Sequence, residues 1–110
     1  MNLTSPLQQV DLRPAFPSDV PVLTRLERQA PSAAHWSDAQ YAGIFDNDAP
    51  HRHLLIAQAR ASKTSNPEPV GFAIALAASS DWEIENIVVD ESFRHLGVGT
   101  LLLEAMELTE

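Results

Sequence analysis

The stretch that most constrains the fold lies near the end of the chain. There the apolar run IENIVVD at residues 84–90 leads through two glycines into a leucine-rich run, FRHLGVGTLLLEAM at residues 93–106. The first run has the β-branched composition of a strand. In the second, Val98, Leu101, Leu102 and Ala105 recur at i, i+3, i+4 and i+7, the stripe of a helix with one buried face. Gly97 and Gly99 stand where the strand hands over to the helix, so a strand–turn–helix unit is predicted, with bare backbone at the helix start.

Upstream, the hydrophobic period divides the rest of the chain. Residues 9–16, QVDLRPAF, alternate as a short edge strand would, and Pro14 suits an edge. SDVPVLTRLERQA (18–30) reads as a helix, with Ser18 able to cap, Pro21 in the first turn, and Val22, Leu23 and Leu26 as its apolar stripe. A second helix is expected in WSDAQYAGIF (36–45), where Ser37 and Gln40 have capping-box spacing and Tyr41, Ile44 and Phe45 recur at helical intervals. HLLIAQA from His53 and VGFAIALA from Val70 read as strands joined across ASKTSNPEP, and SSD (79–81) turns the chain into WEIENIVVD (82–90). The resulting order is β-α-α-β-β-β-α. It is an α/β (α+β) domain with a mainly antiparallel sheet, and residues 1–110 are expected to form one domain, since there is no internal repeat.

Composition narrows the function classes. Hydrophobic residues make up 45% and charged residues 20% of the chain, the balance of a chain that folds. Seven Lys and Arg against fifteen Asp and Glu leave a formal charge of -8, which repels nucleic acid and anionic membrane surfaces. Cysteine is absent, which excludes disulfides, thiolate metal sites and a cysteine nucleophile. The first residues lack a basic start and an apolar run, and no stretch nears the ~20 apolar residues of a membrane span. A cytoplasmic location is therefore expected.

A helix that opens on glycines presents unpaired N–H groups, and an anion can approach them without meeting a β-carbon. The turn is thus a candidate phosphate cradle, although the glycines could equally serve only a tight turn. It is not a P-loop, which needs a Lys beside Thr100. Nor is it a dinucleotide fingerprint, which needs a third glycine where Leu102 stands and an acidic residue about 20 positions on.

Arg94, Gly97 and Gly99, preceded by IVVD at 87–90, resemble the central motif of the GNAT superfamily of acyl-CoA-dependent N-acyltransferases, and the element order resembles the first part of that fold. The resemblance implies acetyl-CoA as donor. It assigns Arg94, His95, Leu96, Gly97, Val98, Gly99 and Thr100 to the pyrophosphate arm, and the main chain of Ile87, Val88 and Val89 to the pantetheine arm. Many members carry basic residues where His95 and Leu96 stand, which implies a weaker electrostatic hold here. Counting back from Arg94, Glu83 falls at the position of the general-base glutamate of some members; a solvated carboxylate at a strand's start is the alternative. Plain alternation would put Glu83, Glu85, Ile87 and Val89 on one face, and Trp82, Ile84, Asn86 and Val88 on the other.

AAHWSDAQY, with Trp36 and Ser37, resembles the Pro-Trp-Ser segment of ribosomal-protein alanine N-acetyltransferases, with His35 in place of the proline, and NIVVD from Asn86 resembles their Asn-Ile-Ala-Val-Asp. This implies a protein N-terminal amine as acceptor, attacked without a covalent enzyme intermediate and without a metal. His51 and His53 could share a strand face, but no third ligand follows by spacing, so a solvated pair is expected.

Members of the superfamily continue past this helix with another strand and helix, which in the alanine acetyltransferases carry a glutamate base, a tyrosine acid and an asparagine that contacts the cofactor. None has a counterpart here. The last helix ends in EAMELTE with no C-cap glycine and no basic residue, so a domain truncated after the cofactor-binding helix is expected. Such a domain would leave ENIVVD with an open edge, inviting a homodimer. A non-catalytic CoA-binding or protein-interaction module is the alternative function.

Overall fold

The computed structural model describes residues 10–30, 36–60, 64–78 and 81–108. Strand β1 (Val10–Pro14) is followed by a 3-10 turn at Pro17–Asp19 and helices α1 (Val20–Arg28) and α2 (Asp38–Gly43). Strands β2 (Arg52–Ala59), β3 (Glu68–Ala78) and β4 (Asp81–Val89) come next, then a 3-10 turn at Glu91–Phe93 and helix α3 (Val98–Leu108). The four strands form one sheet in the order β1-β2-β3-β4, every neighbouring pair antiparallel. Element order and sheet type are those read from the sequence.

The sheet separates two cores, and strand alternation decides which side chains enter each. On one face Leu55, Ala57, Ala73 and Ala75 meet Val98, Leu102 and Met106 of α3. Three alanines there let the helix sit close to the sheet. On the other face Ile56, Phe72, Ile74 and Val88 pack against Leu23 and Leu26 of α1 and Tyr41 of α2. Larger sheet residues fill the wider space beneath these two helices.

Helix starts differ in how far the sequence foretells them. Ser37 caps α2 as expected: its hydroxyl accepts from the Gln40 main-chain N–H at 3.1 Å while the Gln40 side-chain Oε1 accepts from the Ser37 N–H at 2.8 Å. The same helix stops at Gly43, so Ile44 and Phe45 lie in the turn after it. Ser18 does not cap α1. It sits exposed inside the 3-10 turn, and Asp19 is the residue that precedes the helix.

Asp19 takes this place because its carboxylate has partners. It accepts from Arg13 at 2.8 Å on both oxygens and from the Phe16 N–H at 2.7 Å, tying β1 to α1. The Arg13 hydrogen bonds, against the cost of burial, hold the Asp19 carboxyl below its usual range. A depressed carboxyl contributes stability above its unfolded pKa of about 3.9 and loses it as pH falls through the folded value. Asp19→Asn is therefore expected to cost about 1–2 kcal/mol at pH 7 and progressively less as the pH falls through the folded value, read as urea midpoints across pH.

Residues 1–9, 31–35, 61–63, 79, 80, 109 and 110 lie outside the described residues. The readings that rest on Gln9, His35, the start of the β2–β3 connector, the Ser79–Ser80 turn and the acidic end of α3 at Glu110 fall there.

Candidate active site

Two regions of the sheet's last strand and its surroundings carry the residues singled out above. The first is the turn between β4 and α3. Asp90 closes β4 by donating its N–H to the Val70 carbonyl at 2.7 Å, and its carboxylate accepts from the Ser92 N–H at 2.9 Å, starting the 3-10 turn. Arg94 then reaches back, its Nε donating to the Val89 carbonyl at 3.1 Å. The guanidinium thus pins the turn to the end of β4.

His95 and Gly97 both adopt positive φ, 65° and 89°. For Gly97 this needs no side chain to be strained. For His95 it does, a cost of order 1 kcal/mol at a non-glycine residue. The pair of left-handed residues turns the chain so that α3 begins at Val98, with its first intrahelical bond running from the Leu101 N–H to the Gly97 carbonyl at 2.9 Å. The N–H groups of Val98, Gly99 and Thr100 have no carbonyl one turn back.

Gly99 differs from Gly97. A β-carbon built on Gly99 would meet only a methyl of Val89, at 3.9 Å, an ordinary contact. The fold therefore has room for a side chain at a helix position where glycine is unfavourable by about 1 kcal/mol relative to alanine. The tight-turn explanation covers Gly97 and leaves Gly99 unexplained.

The second region is β4 itself. Ile74 pairs with Asn86 but Ala75 pairs with Ile84, so Glu85 is an extra residue, a β-bulge. The alternation expected for β4 is corrected here. Asn86 and Val88 face α1 and α2, as do Glu83 and Glu85, whereas Trp82 lies with Ile87 and Val89 on the α3 face. One inserted residue gathers the strand's polar side chains on one side. Ile87, Val88 and Val89 pair with Ala73, Phe72 and Gly71 of β3, and among the described residues β4 has no strand on its other edge.

On the polar side, an open cleft of about 490 Å³ is lined by Trp36, Gln40, Asp46, Asp48, Arg52 and Glu85, among others. Its floor holds an ion pair: Arg52 Nε donates to Glu85 Oε1 at 2.6 Å, with the two side chains 15% and 22% exposed. Glu83 is exposed on the same face, opposite Leu76, and does not line the cleft.

Beneath the cleft runs a buried polar chain. Asn86 Nδ2 donates to the Tyr41 hydroxyl at 2.9 Å, that hydroxyl donates to Glu27 Oε1 at 2.7 Å, and the Trp36 N–H donates to the same oxygen at 2.6 Å. Burial, then the hydrogen bond to Glu27, push the Tyr41 phenol up. The chain fastens α1, α2 and the bulged strand together and sets Trp36 against Tyr41, ring centroids 5.3 Å apart and planes tilted by 42°.

Of the two histidines expected to be solvated, His51 is exposed and His53 is half-buried. Their rings lie 5.6 and 5.8 Å from that of Trp82, on the α3 face, and burial followed by the neighbouring His51 pulls the His53 pKa down. The bulge is the cause, since it is what turns Trp82 toward them.

Sequence reasoning missed Glu27 and Arg52, and took Asn86 only as the first residue of the NIVVD segment. The available signal for Arg52 was a cation heading the apolar strand HLLIAQA; Glu27, on the face of α1 turned toward α2, gave no comparable sign.

An antiparallel four-stranded sheet carries two helices on one face and a third on the other, with a glycine-marked helix start beside its last strand. Residues 18–108 match the family model described as the Acetyltransferase (GNAT) family, and the chain belongs to that family. Its members transfer an acetyl group from acetyl-CoA to an amine. No curated protein matches the chain in sequence.

Among solved structures, the ribosomal-protein-S18-alanine N-acetyltransferase from Escherichia coli superposes with a TM-score of 0.61 at 20% identity, covering 87% of this chain and 56% of its own. AAC(6')-Iy, in complex with the bisubstrate analog CoA-S-monomethyl-acetylneamine, superposes with a TM-score of 0.65 at 24% identity, covering 90% of this chain and 69% of its own. At such identities the likeness is one of fold. The chain spans little more than half the length of the first of these structures.

Proposed function

We propose that this chain binds acetyl-CoA and transfers its acetyl group to a primary amine, the acceptor being a protein N-terminal α-amine. The observation that carries the reading is Gly99, a glycine the fold does not need, at a helix start whose N–H groups are free for a pyrophosphate. His95 to Thr100 hold that group, Arg94 braces the turn, and the open edge of Ile87, Val88 and Val89 supplies backbone partners for the amide-bearing pantetheine arm. The family match supports the donor; the Trp36–Ser37 and NIVVD segments support the acceptor.

The acceptor nitrogen must arrive neutral. It then forms a C–N bond to the acetyl carbon while the C–S bond of the thioester breaks, and the amine's proton passes to a base. Glu83 is the candidate base, exposed on the cleft face two residues before the bulge. Glu83→Gln is expected to lower turnover about a hundredfold and to remove the acidic limb of the pH–rate profile, with acetyl-CoA affinity unchanged; unchanged turnover would remove Glu83 from the mechanism.

A second reading, a CoA-binding module without catalysis, is favoured by one observation: among the described residues β4 has an open edge, leaving one wall for the pantetheine arm. Calorimetric titration with acetyl-CoA followed by thiol-release assay on N-terminal peptides, polyamines and aminoglycosides separates the two. Binding without thiol release supports the module, and turnover on small amines alone excludes the N-terminal acceptor. We also propose that without donor the edge pairs with a second copy. Light scattering should then show dimers that dissociate on adding acetyl-CoA, and a monomer at high concentration overturns this. The cytoplasm is the proposed compartment, and no helix among the described residues is long and apolar enough to cross a membrane.

A further inference from the structure

The Arg52–Glu85 pair at the floor of the cleft uses only part of its hydrogen-bonding capacity. Arg52 is a cation at the head of an apolar strand, with its side chain 85% withdrawn from solvent by the 15% exposure above. Burial of this kind is tolerated when the guanidinium is paired. Here the pairing is single. Nε donates to Glu85, and among the described residues neither terminal nitrogen has an acceptor. No fully buried side-chain donor among those residues lacks a partner, and Arg52 lines the cleft, so its terminal N–H groups open onto it.

We infer that Arg52 determines acceptor specificity by receiving the carbonyl or carboxylate oxygen next to the reacting amine, selecting an α-amino-acyl group. The inference rests on the transferase reading above. Four N–H donors in a planar fork call for an oxygen acceptor and repel a further cation. The cleft's other charges, Asp46, Asp48 and Glu85, call for an ammonium group. A ligand that offers both within a few ångströms is the end of a peptide or a free α-amino acid. A polyamine offers ammonium groups alone and would set one of them against the guanidinium.

Glu85 is a positioning residue for Arg52. As the inserted residue of the bulge it turns toward the cleft, where plain alternation would send it to the α3 face and leave the guanidinium unpaired. Position and pairing thus have one origin.

The test titrates the protein, saturated with CoA, with Ala-Ala-Ala, free alanine and spermidine by calorimetry, and measures acetyl-CoA affinity separately. The wild-type chain is expected to bind the tripeptide more tightly than spermidine. Arg52→Gln should weaken tripeptide binding about tenfold or more, the loss of a charged hydrogen bond, while leaving acetyl-CoA affinity unchanged and spermidine binding no weaker, since the cation that opposes it is gone. Arg52→Lys should recover part of the loss. Tighter binding of alanine than of the tripeptide would assign the site to free amino acids, still through Arg52.

Should Arg52→Gln fail to fold, the double variant Arg52→Gln/Glu85→Gln, which removes both charges together, carries the same expectation for the tripeptide and for acetyl-CoA, read against Glu85→Gln alone. Equal tripeptide affinity in wild type and variant, or a preference for spermidine, overturns the inference. Failure to bind acetyl-CoA would instead defeat the transferase reading; the peptide titrations, repeated without CoA, would still report on Arg52.

Discussion

Gly99→Asp is expected to abolish acetyl-CoA binding, lowering affinity about a hundredfold or more, while leaving the protein as stable as before or more so. The two effects have opposite signs because they arise in different places. A side chain at 99 meets only the Val89 methyl at 3.9 Å, so the fold accommodates it. Any residue but proline is a better helix former than glycine, and a carboxylate in the first turn is favoured by the helix dipole by about 0.3–1 kcal/mol. The same carboxylate would occupy the space proposed for a pyrophosphate and repel it. Calorimetry with acetyl-CoA and urea unfolding, run on the same preparation, read both arms. Undiminished affinity would place the pyrophosphate elsewhere, and a loss of stability would return Gly99 to the tight-turn explanation. Gly97, at φ 89°, offers no such separation, since any side chain there strains the backbone.

Tyr41→Phe is expected to cost about 2–4 kcal/mol, roughly 10–20 °C in Tm, although it removes a single oxygen. The hydroxyl is the middle of a chain: it accepts from Asn86 and donates to Glu27, and all three residues are buried. Its loss leaves an amide and a carboxylate short of a partner where water does not reach. Tyr41→Phe/Asn86→Leu should therefore cost less than the two single changes added together, and strict additivity would show that the chain is not coupled. The chain has one tyrosine, which makes a second measurement clean. With the phenol pushed up by burial and by Glu27, tyrosinate absorbance should be absent until the protein unfolds in alkali. Stability should fall as the pH rises above about 10, the unfolded tyrosine value, because only the unfolded chain then ionises.

How much of this was visible in the sequence follows from which interactions are local. The strand and helix order, the Ser37–Gln40 capping box and the apolar face of α3 all depend on residues within a turn or two of each other, and each is found as read. The glycine turn was legible as a pair, but the different reasons for Gly97 and Gly99 became separable only once the backbone angle of one and the surroundings of the other were known. The faces of β4 were misread because period-two alternation assumes an unbroken ladder. A bulge depends on how Ala75 and Ile74 of the neighbouring strand pair with it, which no property of WEIENIVVD discloses. The Glu27–Tyr41–Asn86 chain and the Arg52–Glu85 pair join residues far apart in sequence, so no local pattern brought them together.

The order of strands in the sheet is also their order in the chain, and this bears on how the domain assembles. Pairing β2 with β3 closes only the connector at residues 60–67, and pairing β3 with β4 only residues 79 and 80, whereas β1 must wait for residues 15–51 before it meets β2. Closing a longer loop costs more chain entropy before any contact repays it. The three-stranded meander is therefore the expected folding nucleus, with β1 and the helices condensing on it later. The bulge, the Arg52–Glu85 pair and the strand end beside the glycine turn all belong to that meander, so the part of the molecule expected to form first already contains the framework of the candidate site.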